Sequence, residues 1–165
     1  YNQHGYSYAA KLIAFTLPDQ CAALEHADGR ATQARYVDWV NKWVDLKLLS
    51  AAGETGGEFY KIRCKLAHQG ILTHEKSTYA GIAITRSSSM GNVFHNNVIE
   101  LTDAETGAPL KFLAIDITGL ILSVARAATL WYDSVKDDPI VVANLEKMIH
   151  LYHGTPDTWG CDFWA

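Results

Sequence analysis

The hydrophobic pattern of this chain changes its period twice, and these changes limit the folds that are open to it. Before residue 79 and after residue 115, apolar residues recur at the spacing of an amphipathic helix. Between these positions the chain carries short runs rich in β-branched and aromatic residues, separated by turn-forming segments. The sequence therefore predicts a mainly α fold, a helical bundle with a small antiparallel β insertion at about residues 79–115.

Caps and helix breakers set the expected bounds of the helices. Pro18 suits the first turn of a helix and Gly29 suits a helix end, so the first helical region is expected to be a broken hairpin. The glycines in residues 50–57 predict a loop. Asp116 is expected to cap a long apolar helix, and Pro139 to open the next one. The predicted helices are residues 8–15, 18–27, 32–44, 58–68, 116–136 and 140–153.

Three runs in the insertion have the composition of β-strands. They are YAGIAITR at residues 79–86, VFHNNVIEL at residues 93–101 and LKFLAI at residues 110–115. The segments between them, SSSMGN and DAETGAP, look like turns. Consecutive strands joined by short turns pair side by side, so the sequence predicts an antiparallel meander.

Length and composition predict one domain in a reducing compartment. The chain has 165 residues, of which 48% are hydrophobic, and this is enough for a single packed core. No apolar stretch reaches the roughly 18 residues that a membrane helix needs, and residues 1–8 lack the pattern of a secretory signal. Cys21, Cys64 and Cys161 show no C-x-x-C spacing, so neither a disulfide framework nor a zinc site is expected. These features favour a cytoplasmic protein without contact to a membrane.

Charge restricts where nucleic acid can bind. The net charge is −4, so the chain as a whole does not attract a phosphate backbone. Residues 59–76 are an exception, because they hold four Lys or Arg residues and two His residues against one acidic residue, Glu75. Any contact with nucleic acid is therefore expected in this segment.

Within this segment, Arg63 and His68 lie five positions apart near the end of a predicted helix that Gly70 terminates. Five helical positions correspond to a rotation of about 500°, so the two side chains point roughly 140° apart. One helix alone does not bring them together. A two-fold homodimer can do so, because it sets the same helix of each subunit against its mate.

The segment RCKLAHQG resembles the signature of the HEPN superfamily, in which an arginine, four to six arbitrary residues and a histidine end a helix in an α-helical bundle. The resemblance implies a homodimer that cuts RNA without a metal ion or other cofactor. It implies that Arg63 and His68 are catalytic and that Lys61, Lys65 and Gln69 contact the substrate. A protein partner such as an antitoxin is a further implication. Where the family often has Asn or Asp after the arginine, this chain has Cys64.

The implied chemistry suits the two side chains. The pKa of an unperturbed histidine lies near 6.5, so His68 is expected to take a proton from a ribose 2′-hydroxyl or to give one to the leaving 5′-oxygen. The guanidinium of Arg63 is expected to hold the phosphate oxygens as negative charge develops on them.

Two other functions remain open. A HEPN-like module without catalysis would dimerise and bind protein or nucleic acid, with Arg63 paired to Glu58 or Glu54 and His68 favoured by the helix C-terminus. An active site predicts both residues exposed in a shared basic cleft, whereas an inactive module predicts them tied up in salt bridges or covered. A small-molecule domain would instead show a closed apolar pocket between the helices and the meander.

The remaining unusual residues have structural interpretations. His150, His153 and Cys161 lack a fourth ligand, so a metal site is not expected. Aromatic residues at helical spacing are expected in the core or a dimer surface, and those of the tail are expected to dock on the core. They are Trp39, Trp43 and Trp131 in the helices and Trp159, Phe163 and Trp164 in the tail.

Overall fold

The computed structural model describes residues 3–44, 55–71, 79–85 and 97–148, which form a mainly helical fold with a small β insertion, as the hydrophobic pattern predicts. One hydrophobic cluster joins residues from the helices and from the third strand. In chain order the elements are α1 (Gln3–Leu24), α2 (Gln33–Trp43), α3 (Thr55–Gln69), β1 (Gly81–Thr85), β2 (Asn97–Thr102), β3 (Pro109–Asp116), α4 (Ile117–Val135) and α5 (Pro139–Met148).

Helix α1 is the centre of the fold, because each of the other four helices packs against it. It is one continuous helix, so the predicted break before Pro18 is wrong. A proline inside a helix costs about 3 kcal/mol, because it removes a backbone hydrogen bond and crowds the preceding turn. Pro18 and Phe15 are fully buried. Burial of the helix among its neighbours offsets the local cost.

Helix α2 forms where its periodicity predicts. Its N-cap is Thr32, whose hydroxyl accepts a hydrogen bond from the backbone N–H of Arg35 at 3.3 Å. Tyr36, Trp39 and Val40 form its buried face. The Tyr36 hydroxyl donates to the carbonyl oxygen of Phe15 at 2.9 Å, which ties α2 to α1.

Helix α3 begins earlier than predicted. Gly56 and Gly57, assigned to a loop from the sequence, lie in its first turn. The backbone of Gly56 passes so close to α2 that a Cβ atom here would lie 2.5 Å from the carbonyl oxygen of Val37. The Gly56 N–H donates to Oδ1 of Asn41 at 2.8 Å. Gly56 therefore allows the close contact between α2 and α3. The local sequence pattern does not distinguish such a glycine from a glycine in a loop.

The sheet is not the predicted meander. Its strand order is β1-β3-β2, and only β2 and β3 pair antiparallel. They are joined by a tight turn in which Gly107 has a φ of 69°. Strand β1 pairs parallel to β3, with Gly81 opposite Phe112 and Thr85 opposite Asp116. Residues 113–116 of β3, the central strand, are buried.

Side chains from three elements hold α4 and α5 on the bundle. Asp116 caps α4 as predicted, accepting from the Gly119 N–H at 2.7 Å. Trp131 of α4 donates its indole N–H to Glu25 at 2.5 Å. The buried Asn144 of α5 donates to the carbonyl oxygens of Leu24 and His26 just after α1. Within the described residues, no helix has the length and apolarity needed to cross a membrane.

Several predictions fall on residues outside the described ranges. They are the turn at residues 87–92, the first four residues of the run at residues 93–101, the end of the last helix beyond Met148, and the tail with Trp159, Phe163 and Trp164.

We predict that Gly56→Ala destabilises the fold by about 2 kcal/mol, because the added methyl group would overlap the backbone of α2. Helix propensity alone predicts the opposite sign, a gain of about 1 kcal/mol. Urea denaturation of the wild type and of Gly56→Ala gives the change in the free energy of unfolding, and its sign shows whether the contact or the helix propensity dominates. A stabilised variant would show that α3 does not approach α2 as described.

Candidate functional site

The candidate site lies on α3, and the buried face of this helix fixes its orientation. Phe59, Ile62 and Leu66 are each at most 2% exposed. The ring of Phe59 packs against Phe15 of α1, with centroids 4.9 Å apart. Tyr60 meets Tyr36 of α2 edge to face at 5.4 Å. These contacts leave α3 little freedom to rotate.

Arg63 forms an ion pair with another residue of its own chain. Its Nε donates to Oδ2 of Asp19 on α1 at 2.6 Å, and its guanidinium lies 6.0 Å from the centre of the Tyr60 ring. The side chains of Arg63 and Asp19 are 24% and 13% exposed. The alternative that Arg63 pairs with Glu58 is wrong, and Glu54 lies outside the described residues.

The ion pair is formed at a cost in desolvation. Burial raises the pKa of the Asp19 carboxyl above its ordinary value of 3.8, although Arg63 acts in the opposite direction. Partial burial lowers the pKa of the Arg63 guanidinium, but the hydrogen bond and charge of Asp19 outweigh it and the pKa is raised. Arg63 therefore keeps its charge, while burial makes the Asp19 carboxyl easier to protonate.

Cys64, which follows Arg63, interacts with its own helix. Burial and a hydrogen bond to Cys64 raise the pKa of the Tyr60 hydroxyl. After burial and Asp19, Cys64 also acts on the Arg63 guanidinium, in the direction that raises its pKa. The thiol thus belongs to the group of side chains around the arginine.

The two predicted substrate-binding lysines are also engaged. Lys61 donates to the buried carboxylate of Glu58 at 2.7 Å, an i, i+3 pair. Lys65 donates to Oε1 of Gln69 at 3.3 Å, one turn along the helix. The positive charge of Lys61 is thereby neutralised within α3.

His68 is exposed in the last turn of α3, which ends at Gly70 as predicted. Gly70 has a φ of 71° and donates its N–H to the carbonyl oxygen of Leu66. Among the described residues, no side chain forms a hydrogen bond or ion pair with His68. A histidine here is favoured by the helix dipole, which accounts for its position without a catalytic role.

One chain does not bring Arg63 and His68 together. With a rotation of about 100° per residue, His68 lies nearly opposite the buried stripe of α3, together with Lys61, and Arg63 borders that stripe. The arginine faces α1 and the histidine faces solvent. The catalytic assignment of both residues stays a prediction.

Grooves on the described surface lie between helices. An open, apolar groove of about 380 Å³ runs between α1, α4 and α5. It is not the closed pocket between helices and sheet that a small-molecule domain predicts. The lining residues are Leu17, Gln20, Cys21, Leu24, Ala128, Thr129, Trp131, Tyr132, Leu145 and Met148.

The described residues contain no cluster of three His, Cys, Asp or Glu side chains placed to hold a metal ion. The weak candidates His150, His153 and Cys161 fall outside the described ranges. Burial raises the pKa of the Cys21 thiol to about 12, with Glu25 adding to the shift, so this thiol stays protonated.

Comparisons of the chain with family models, curated proteins and solved structures gave no match. The HEPN resemblance therefore depends on the segment around Arg63 and His68 and on the helical character of the chain.

Asp19 is the residue of this site that the sequence did not predict. It lies 44 positions before Arg63, so no local spacing connects the two. The available signal was an acidic residue in a strongly apolar helix, which needs a partner when it is buried.

We predict that Arg63→Ala destabilises the protein by about 2 kcal/mol, because it leaves the Asp19 carboxylate buried without its counter-ion. The control is His68→Ala, which removes an exposed side chain and should change the free energy of unfolding by less than about 0.5 kcal/mol. Thermal and urea denaturation give both values. Equal effects of the two substitutions would contradict a structural role for Arg63.

The raised pKa of Asp19 predicts a pH dependence. The folded state binds the Asp19 proton more tightly than the unfolded state, so this carboxyl contributes stability below pH 3.8 that is lost as the pH rises through its folded-state pKa. Asp19→Asn lacks this proton. The unfolding free energy of the wild type relative to the variant should therefore fall as the pH rises above 3.8, as urea denaturation over a pH range can measure. A relative stability that rises over this range would mean that the Arg63 charge dominates.

Proposed function

We propose that the chain is a HEPN-like module without nuclease activity, which dimerises and acts by binding a protein partner. The observation that supports this proposal is the ion pair of Arg63 with Asp19 at 2.6 Å. An arginine that must hold a phosphate in the transition state needs its donors free and directed at the substrate. In this chain the arginine joins α3 to α1.

Electrostatics support the same conclusion. A phosphate approaching Arg63 would also approach the Asp19 carboxylate, and two negative charges at close range repel each other. Lys61 is neutralised by Glu58, and the whole chain has a net charge of −4. Two of the three Lys and Arg residues of described α3 therefore face carboxylates, which weakens the attraction of this helix for the RNA backbone.

A cytoplasmic setting belongs to this proposal. Cys21 and Cys64 are free thiols in the described structure, which suits a reducing compartment. An antitoxin is one kind of protein partner that fits the HEPN resemblance.

The second candidate is the metal-independent endoribonuclease, and the exposed His68 favours it. The imidazole is open to solvent and has Gln69 as an exposed neighbour on the same turn. In a dimer, His68 of one subunit would have to meet an arginine that had left its Asp19 partner. Breaking this pair uncovers a partly buried carboxylate, so catalysis would carry that cost in every cycle.

The deciding experiment is incubation of a mixed single-stranded RNA pool with purified protein in EDTA. Four proteins are compared: the wild type, His68→Ala, Asp19→Asn and the double variant Asp19→Asn/His68→Ala. We expect no difference between the wild type and His68→Ala, because the guanidinium of Arg63 is paired with the Asp19 carboxylate. If Asp19 alone suppresses catalysis, Asp19→Asn should cleave and the double variant should not.

Chelator-resistant cleavage by the wild type that leaves 2′,3′-cyclic phosphate ends and is lost in His68→Ala would overturn the inactive module in favour of the nuclease. Tight RNA binding without cleavage would keep the module inactive and change its partner from protein to nucleic acid.

A further inference from the structure

The outer face of α4 is more apolar than an exposed helix face needs to be. Leu122 is 64% exposed and Leu130 is 50% exposed, and Ala125 and Thr129 lie between them on the solvent side. Isolated exposed leucines are ordinary, but two exposed leucines on one side of a helix make that side a candidate contact surface.

Two side chains of opposite charge lie on this face. Arg126 and Asp133 are both exposed, and neither side chain makes a hydrogen bond or ion pair with any residue of the described structure. They are seven positions apart, so they lie about 10 Å from each other along the helix axis and cannot pair within one chain. At about 100° per residue, Leu122, Arg126 and Asp133 fall within an arc of about 40°.

This arrangement is complementary to itself. When two copies of α4 lie antiparallel with their centre between Thr129 and Leu130, Arg126 of each copy faces Asp133 of the other. A parallel arrangement would place like charges together and would be repelled. The antiparallel contact obeys two-fold symmetry, which is the commonest symmetry of protein dimers.

We propose that the outer face of α4 binds the same face of a second copy of this chain, with two reciprocal ion pairs between Arg126 and Asp133 on either side of the two Leu130 side chains. The dimer thus uses α4 instead of α3, the helix on which the HEPN resemblance places the contact. The inference rests on the proposed dimeric module and names the surface that joins its subunits.

Reversing the charge of Arg126 or Asp133 in the full chain tests the contact. The mass of each variant is measured by sedimentation velocity over a range of concentrations. Arg126→Asp alone and Asp133→Arg alone each set two like pairs across the axis, so each should raise the dimer dissociation constant about tenfold or more. The double variant Arg126→Asp/Asp133→Arg restores complementarity and should bring the dissociation constant back to near the wild-type value. The control is Arg30→Asp, which makes the same change at an exposed arginine between α1 and α2 and should leave the dimer unchanged.

The outcomes separate the two proposals. A chain that stays monomeric up to about 100 μM overturns both the α4 contact and the dimeric module. A dimer that ignores the single reversals, or that the double variant fails to restore, overturns the α4 contact alone. Circular dichroism of each variant confirms that a change in mass is not a loss of folding, and Leu130→Ser gives a second disruption that leaves the charges in place.

Discussion

The burial of α1 among four other helices is the constraint on which the rest of the structure depends. The polar side chains of α1 that lie against its neighbours have little access to water, so they need partners from other helices. Asp19 receives Arg63 from α3, and Glu25 receives the indole N–H of Trp131 from α4. Asn144 of α5 satisfies carbonyl groups just after the end of α1. The polar contacts of α1 thus position three helices in specific registers, which apolar packing alone would specify less well.

Local signals predicted the parts of the fold that local physics determines. The Asp116 cap and the Gly70 stop act within one turn of chain, and the sequence located both. Contacts between distant segments decided the rest. Pro18 is helical because its surroundings are packed, and Gly56 is helical because α2 lies against it. The partner of Arg63 was missed for the same reason, since Asp19 belongs to another helix.

In the candidate site, the two residues of one motif point in different directions. Phe59, Ile62 and Leu66 define the inner face of α3, and Arg63 lies beside that face where it can reach α1. His68 lies nearly opposite and faces solvent. A motif of this spacing is therefore compatible with a helix that is anchored through its arginine and presents its histidine, and the pattern alone does not state which side chain is available to a ligand.

The parallel pairing of β1 with β3 has a consequence for the order in which the chain folds. Strands β2 and β3 are neighbours in sequence across a short turn, so their pairing closes a small loop. The pairs between β1 and β3, such as Gly81 with Phe112, join residues about 30 positions apart. Closing the longer loop costs more chain entropy, and a parallel strand needs an existing edge on which to form. The hairpin therefore nucleates the sheet and β1 completes it, which makes the insertion assemble from its C-terminal end backwards.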